Sequence, residues 1–222
     1  MVHFTLFGIP VYIRPSFWVV LAIFGGALSI SSVEDLIYPA LFVIAGFVAI
    51  LSHEMGHALV GRKLGGGQQT IVLELFGGLT SSHGMQLTRG GRALMILAGP
   101  MMTLLLGIIS LWLTWNIVAP VMTSYNLNFW DLAISPFTAA LISPKLYILS
   151  CLIMIGEWWT ILNLLPIYPL DGGQLIAQYI RSPRKVFMTG FITAILIGLL
   201  SFQLFHGYFI PIFMALFAYS NY

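Results

Sequence analysis

Long apolar stretches, separated by short polar segments, run along the whole chain. A membrane-spanning helix needs about 20 predominantly apolar residues. We predict about six spanning helices, because six stretches reach or approach that length: Val11–Ile30, Pro39–Gly61, Ala93–Val118, Tyr147–Leu165, Val186–Phe205 and Gly207–Ala218. The last stretch is the shortest. The pattern therefore predicts an all-α polytopic membrane protein, organised as a single domain over residues 1–222.

The composition supports a membrane protein. Hydrophobic residues make up 59% of the 222 residues and charged residues 7%, whereas a soluble domain carries about 25% charged residues. A soluble fold with so few charges would have little polar surface to present to water. We therefore expect the lipid bilayer as a partner, and the formal net charge of +2 does not indicate binding to nucleic acid.

The basic residues of the connecting segments predict the orientation. With six spans, eight basic residues fall on one side of the membrane: Arg14, Arg62, Lys63, Arg89, Arg92, Arg181, Arg184 and Lys185. Only Lys145 falls on the other side, together with Glu34, Asp35 and Asp131. Since cytoplasmic loops carry the excess of Lys and Arg, we predict a multi-pass cell-membrane protein with both termini in the cytoplasm.

Two acidic residues, Glu54 and Glu157, lie inside predicted spans. A charged group at the centre of a membrane helix costs about 2.5–3.5 kcal/mol on insertion scales, so each needs a reason. Glu54 belongs to the sequence His53-Glu54-Met55-Gly56-His57, the pattern HExxH. Histidines four positions apart share one helix face and can bind one cation, and the glutamate can reach a water on that cation. For Glu157, a protonated or hydrogen-bonded side chain is favoured over a proton carrier or gate.

A catalytic zinc normally takes three protein ligands and a water. A third protein ligand is therefore needed besides the two histidines. The candidates are His3, Glu74, His83, Glu157, Asp171 and His206. Asp171 is favoured because Pro166 and Pro169 should break the fourth span just before it. We expect Asp171 on irregular backbone at the cytoplasmic end of that span, which is also the end that His57 approaches.

The segments HEMGH and NLLPIYPLDGG resemble motifs of a known family, the site-2 intramembrane metalloproteases. Three further segments agree with this resemblance: GIPVYIRPSFW, LELFGGLT and GRALMILAGP. The resemblance implies that Zn²⁺ is bound by His53, His57 and Asp171, with Glu54 as the catalytic base. It also places Asn163 in the active site, where the alternative is a polar contact between helices.

The same resemblance implies the substrate and the way it binds. The substrate would be a transmembrane protein or peptide, cut in or near its membrane segment by an active site toward the cytoplasm. A short re-entrant β segment would lie beside the substrate, with contacts at Leu75, Phe76, Gly77 and Gly78, although the two glycines are also compatible with a simple turn. We expect the minimal form of the family, without PDZ or CBS modules.

Two other functional classes compete with a protease. A metal transporter would place further ligands along a path, and this chain has one compact set. An inactive membrane scaffold would be free to lose Glu54, which is present. The chain departs from the family at Thr103, where asparagine is frequent, and at Arg14, where histidine is common. The sequence does not indicate an oligomeric state.

Overall fold

The computed structural model describes residues 1–75, 77–84, 86–125, 136–207 and 209–222. They divide into two compact units, Met1–Thr160 and Ile161–Tyr222. The strands are β1 (Val2–Leu6), β2 (Ile9–Ile13), β3 (Gln68–Glu74) and β4 (Gly77–His83). The helices are α1 (Pro15–Phe24), α2 (Ile37–Gly65), α3 (Arg89–Tyr125), α4 (Pro136–Ala140), α5 (Pro144–Asn163), α6 (Asp171–Ala177), α7 (Pro183–Phe205) and α8 (Phe209–Ser220).

A four-stranded sheet in the first unit has the order β1-β2-β3-β4. The β1–β2 and β3–β4 pairs are antiparallel hairpins, whereas β2 pairs with β3 in parallel. The connection between these two parallel strands consists of α1 and α2. The strand that precedes α1 and the strand that follows α2 therefore lie side by side.

The first predicted span, Val11–Ile30, is not one helix. Ile9, Val11 and Ile13 are buried on one face of β2, because alternate residues of a strand point to the same side. They pack with Ile71 and Leu73 of β3 and with residues of α1 and α2. The helix that follows has 10 residues, about 15 Å at 1.5 Å per residue, and it ends at the Gly25–Gly26 pair.

Among the described residues, four helices are long and apolar enough to cross a membrane: Glu34–Gly65, Arg89–Ile117, Pro144–Asn163 and Pro183–Leu204. They correspond to the second to fifth predicted spans. The segments Pro15–Phe24 and Ile210–Ser220 are shorter apolar helices. The helical part of the prediction thus agrees with the structure for four long spans.

Glycines allow close approach between the long helices of the first unit. A Cβ atom on Gly56 of α2 would overlap the backbone oxygen of Ala98 on α3. A Cβ atom on Gly156 of α5 would stand 2.9 Å from the Cα of Gly107 on α3. Small residues of this kind let membrane helices pack backbone to backbone, so α3 is held closely against both α2 and α5.

The second unit begins with the last turn of α5 and continues through a short irregular segment into α6. Ile167 packs in a core with Ala194 of α7 and with Met214 and Ala218 of α8. Asn221 is buried and donates from Nδ2 to the backbone oxygen of Tyr168 at 2.6 Å. The irregular segment is therefore fixed by residues that lie far along the chain.

Candidate metal centre and catalytic residues

Two buried histidines face each other on α2. His53 and His57 are one helical turn apart, and their Nε2 atoms lie 3.1 Å from each other. The ring centroids are 4.7 Å apart and the rings are nearly perpendicular. The HExxH spacing has thus placed both imidazoles on one face of the helix, as the 3.6-residue period requires.

Helix α3 holds both rings through Nδ1, the ring nitrogen that does not face the other histidine. His57 Nδ1 lies 2.9 Å from the backbone oxygen of Met95, and because a carbonyl only accepts, Nδ1 carries the proton. Thr103 Oγ1 donates to the backbone oxygen of Gly99 at 3.0 Å, so it accepts from His53 Nδ1 at 3.0 Å. Each ring is thus oriented by α3 through Nδ1, with its Nε2 directed toward the other histidine.

This arrangement fits a metal ion. The two Nε2 atoms stand 3.1 Å apart, a separation that suits two ligands of one cation. Two nitrogen ligands on one tetrahedral Zn²⁺ stand about 3.3 Å apart, given Zn–N bonds of about 2.0–2.1 Å. Metal-binding histidines also usually donate their other N–H to a carbonyl or polar group, which holds the ring orientation. Here the acceptors are the backbone oxygen of Met95 and Thr103 Oγ1.

Asp171 is the first residue of α6 and is buried. We expected it on irregular backbone, but the irregular segment ends at Leu170, and Asp171 starts a helix whose first turn favours a negative charge. Gly172 and Gly173 allow this turn to pack tightly, because a Cβ atom on either would overlap backbone atoms of residues 164–168. Two imidazoles and one carboxylate are a ligand set that suits zinc.

Glu54 is buried next to His53 on α2. Thr80 of β4 donates from Oγ1 to Glu54 Oε2 at 2.6 Å, and the same hydroxyl lies 3.2 Å from the backbone oxygen of Glu54. Gly78, two residues earlier on β4, approaches so closely that a Cβ atom there would stand 2.5 Å from Glu54 Oε1. The glutamate of the HExxH pattern thus packs against Gly78 and Thr80 of β4.

The other predicted site residues lie at ends of elements. Asn163 is buried and is the last residue of α5. Gly77 and Gly78 are the first two residues of β4 rather than part of a simple turn, and Leu75 is an exposed residue of the turn before them. The prediction for Phe76 lies outside the described residues.

The other candidates for the third ligand have different surroundings. Glu74 forms an ion pair with Arg14 at 2.9 Å, and the ring of His3 stacks on Tyr12. The third ligand stays a prediction, and Asp171 is favoured over these alternatives because of the prolines that precede it.

Reasoning from the sequence missed two residues that support this site, Thr80 and Thr103. Thr103 was noted only as a departure from the family, yet it holds the ring of His53. A signal for it existed, because Met95, Gly99 and Thr103 follow each other at intervals of four and so share one face of α3. No comparable signal pointed to Thr80, whose contact with Glu54 joins a strand to a helix.

The comparison with protein families decides the assignment. The sequence model of peptidase family M50 matches residues 41–205, which is most of the chain and includes every candidate ligand named above on α2 and α6. The chain belongs to peptidase family M50. With its four long apolar helices, this M50 protein is a multi-pass membrane protein.

Two curated relatives of this M50 protein are informative. A zinc metalloprotease of Methanocaldococcus jannaschii is 29% identical over 174 residues, which cover 78% of this chain and 43% of the relative. A putative zinc metalloprotease of Synechocystis is 28% identical over 188 residues, covering 79% of this chain and 43% of the relative. The chain therefore spans less than half the length of the curated relatives that it matches.

A solved structure has the same fold. The site-2 protease from Methanocaldococcus jannaschii aligns with a TM-score of 0.62 and 24% sequence identity, covering 99% of this chain and 93% of that one. The fold expected from the sequence, a helical membrane protein with a small β segment, is thus found in a solved structure.

Proposed function

We propose that this M50 peptidase is a zinc metalloendopeptidase that hydrolyses peptide bonds in or near the transmembrane segments of other membrane proteins. The observation that carries the proposal is the pair of facing Nε2 atoms on His53 and His57, 3.1 Å apart, with Glu54 buried beside them. Asp171 supplies the third ligand. The names of the relatives as zinc metalloproteases support the same metal and reaction.

Each residue has a separate task in this reaction. When bound, zinc polarises the scissile carbonyl and lowers the pKa of a water ligand toward about 7. Glu54 takes a proton from the attacking water and returns it to the departing nitrogen. The hydrogen bonds from His53 and His57 to α3 keep the ligand nitrogens in place during these transfers.

Asn163 donates a hydrogen bond to the developing oxyanion or to the substrate backbone. Its position at the end of α5, buried just before the irregular segment that leads to Asp171, supports this role. Such a donor contributes about 2.7–4 kcal/mol to transition-state stabilisation where it has been measured.

The substrate binds in an extended form along β4. The strand order places β4 at the edge of the sheet, with β3 as its neighbour on the other side. A strand edge can bind an unwound peptide by main-chain hydrogen bonds, a mode known as β-augmentation. Leu75, Gly77 and Gly78 lie at the start of this edge, and Leu79 exposes its side chain.

The protein crosses the membrane as one domain, through its four long helices together with the shorter helices α1 and α8, with both termini and the active site toward the cytoplasm. The eight basic residues on one side support this orientation. The pairing of β2 with β3 supports an even number of crossings between these strands, because the chain must leave the side of the membrane that holds the sheet and return to it. The family match over residues 41–205 extends across both compact units and favours a single domain.

A comparison of wild-type protein with Glu54→Gln tests the function. Membrane peptides from cells that express each form are compared by mass spectrometry, without a chosen substrate, and the zinc content of each purified protein is measured. Glu54→Gln should retain zinc and lose cleavage by about 10²–10⁴-fold. Glu157→Gln serves as the matched control, since Glu157 lies on α5 and has no assigned role in the chemistry.

Two outcomes would contradict the proposal. One is a wild-type protein that contains no zinc at neutral pH. The other is a Glu54→Gln protein that retains zinc and produces the same cleaved peptides as wild type, which would favour a transporter or a scaffold.

A further inference from the structure

Strand β4 makes a specific contact with the side chain of Glu54. Thr80 Oγ1 lies 2.6 Å from Glu54 Oε2, a short distance typical of a hydroxyl that donates to a carboxylate. The same hydroxyl is 3.2 Å from the backbone oxygen of Glu54. Since a hydroxyl has one proton, the shorter contact is the main hydrogen bond, and it fixes one of the two carboxylate oxygens.

A second residue on the same face of β4, Gly78, also packs against the side chain of Glu54. Residues two apart on a strand point to the same side, so Gly78 and Thr80 both face Glu54. A Cβ atom on Gly78 would stand 2.5 Å from both Cδ and Oε1 of Glu54. Leu79, between them, points the other way and is exposed. One face of β4 is thus shaped around a single glutamate.

The strand itself is held in place by its neighbours. Thr80 is paired with Ile71 of β3, and Gly78 with Leu73, and both β3 residues are fully buried in the core of the sheet. Trp159 of α5 packs on the start of β4, where a Cβ atom on Gly77 would stand 2.9 Å from Trp159 Cζ2. The hydroxyl of Thr80 is therefore presented from a rigid support, as a positioning contact requires.

We propose that Thr80 is a positioning residue for the catalytic base: its hydroxyl holds Glu54 Oε2 and so sets the plane of the carboxylate for proton transfer. The proposal rests on the function proposed above. The terminal torsion of a glutamate has broad minima, so the carboxylate plane needs an external contact to be fixed. Misplacement of a reacting group by about 1 Å can cost 10²-fold in rate.

This role also connects the base with substrate binding. A peptide that adds to the edge of β4 docks on the strand that orients Glu54. Thr80 would then affect turnover of bound substrate and leave the affinity for substrate nearly unchanged, because its side chain is directed to the glutamate and the strand edge binds through main-chain groups.

The test compares Thr80→Val, Thr80→Ser and Thr70→Val in full-length protein reconstituted with a synthetic transmembrane peptide that the wild type cleaves. Valine keeps the shape of threonine and removes the hydroxyl. We expect Thr80→Val to lower kcat by about 10–10²-fold, with KM and zinc content unchanged, and Thr80→Ser to restore most of kcat. Thr70 lies on the neighbouring strand β3, so Thr70→Val should behave as wild type.

Three results would overturn the proposal: a Thr80→Val protein with wild-type kcat, a Thr80→Ser protein as slow as Thr80→Val, or loss of zinc from Thr80→Val. The last would make Thr80 a support of the metal ligands instead of the base. Failure of the proposed function itself would look different, since the wild type would then cleave no peptide or would cleave it equally after Glu54→Gln.

Discussion

Gly99 of α3 lies directly against the imidazole of His57, so closely that a Cβ atom on Gly99 would overlap His57 Nε2. The imidazole of His57, a candidate metal ligand on α2, therefore leaves no space for a side chain at position 99 of α3. We expect Gly99→Ala to push the His57 ring aside and weaken zinc binding by about 10–100-fold, the size seen when ligand orientation is lost.

Competition with a chelator, followed by metal analysis, measures this effect in purified protein. Gly90→Ala is the matched control on the same helix, because a Cβ atom at Gly90 meets nothing within 4 Å. Equal zinc affinity of Gly99→Ala and Gly90→Ala would show that the close approach does not matter for the metal.

Asp171 is expected to bind zinc directly, so Asp171→Ala should reduce zinc affinity more than a loss of ligand orientation does, by at least about 10²-fold. The same chelator competition gives the value. His83→Ala is a suitable control, because His83 was another candidate ligand and lies exposed at the end of β4. If His83→Ala lost zinc and Asp171→Ala kept it, the third ligand would have to be reassigned.

The orientation in the membrane can be tested with cysteines introduced one at a time. Gln86→Cys and Ser182→Cys should react with a membrane-impermeant thiol reagent only from the cytoplasmic face. Leu141→Cys, at a residue whose side chain is 89% exposed, should react only from the opposite face. The single native cysteine, Cys151, is buried and should give a low background. Labelling of Gln86→Cys from outside would contradict the assigned topology.

Asn221 should contribute to the stability of the second unit. Its Nδ2 donates to the backbone oxygens of Tyr168 and Phe217, at 2.6 and 2.9 Å, and Gly190 leaves room for its side chain. Asn221→Ala removes these two partly buried hydrogen bonds, each of which contributes about 0.5–1.5 kcal/mol to stability. Denaturant unfolding in detergent measures the change, and Ser220→Ala, at an exposed hydroxyl, should have little effect.

The residues of the metal centre were predictable because their chemistry is unusual for their position. Buried charged and imidazole groups in an apolar helix stand out, and the interval of four between His53 and His57 already implies a shared face. Asp171 was chosen as the third ligand because of the prolines that precede it. The start of a helix at Asp171 was not predicted, because the glycines that follow it indicated a tight turn and gave no sign of helical packing.

Contacts between elements were not predictable in the same way. The bond from Thr80 to Glu54 depends on how the β3–β4 hairpin packs on α2, which no local pattern encodes. Similarly, the apolar run from Val11 suggested a long helix, because hydropathy alone does not distinguish a buried strand from a membrane segment. The alternation of Ile9, Val11 and Ile13 was the signal for a strand.

The parallel pairing of β2 with β3 has a consequence for the order of events during synthesis. β2 leaves the ribosome early, but its partner emerges only after α1 and α2 have been made. Until these helices have been inserted and the chain has returned, the edge of β2 that later pairs with β3 stays open, and an open edge invites aggregation. A chain in which α1 or α2 failed to cross the membrane would hold β2 and β3 on opposite sides of the bilayer, where they cannot pair. Completion of the four-stranded sheet therefore requires that both helices have been inserted.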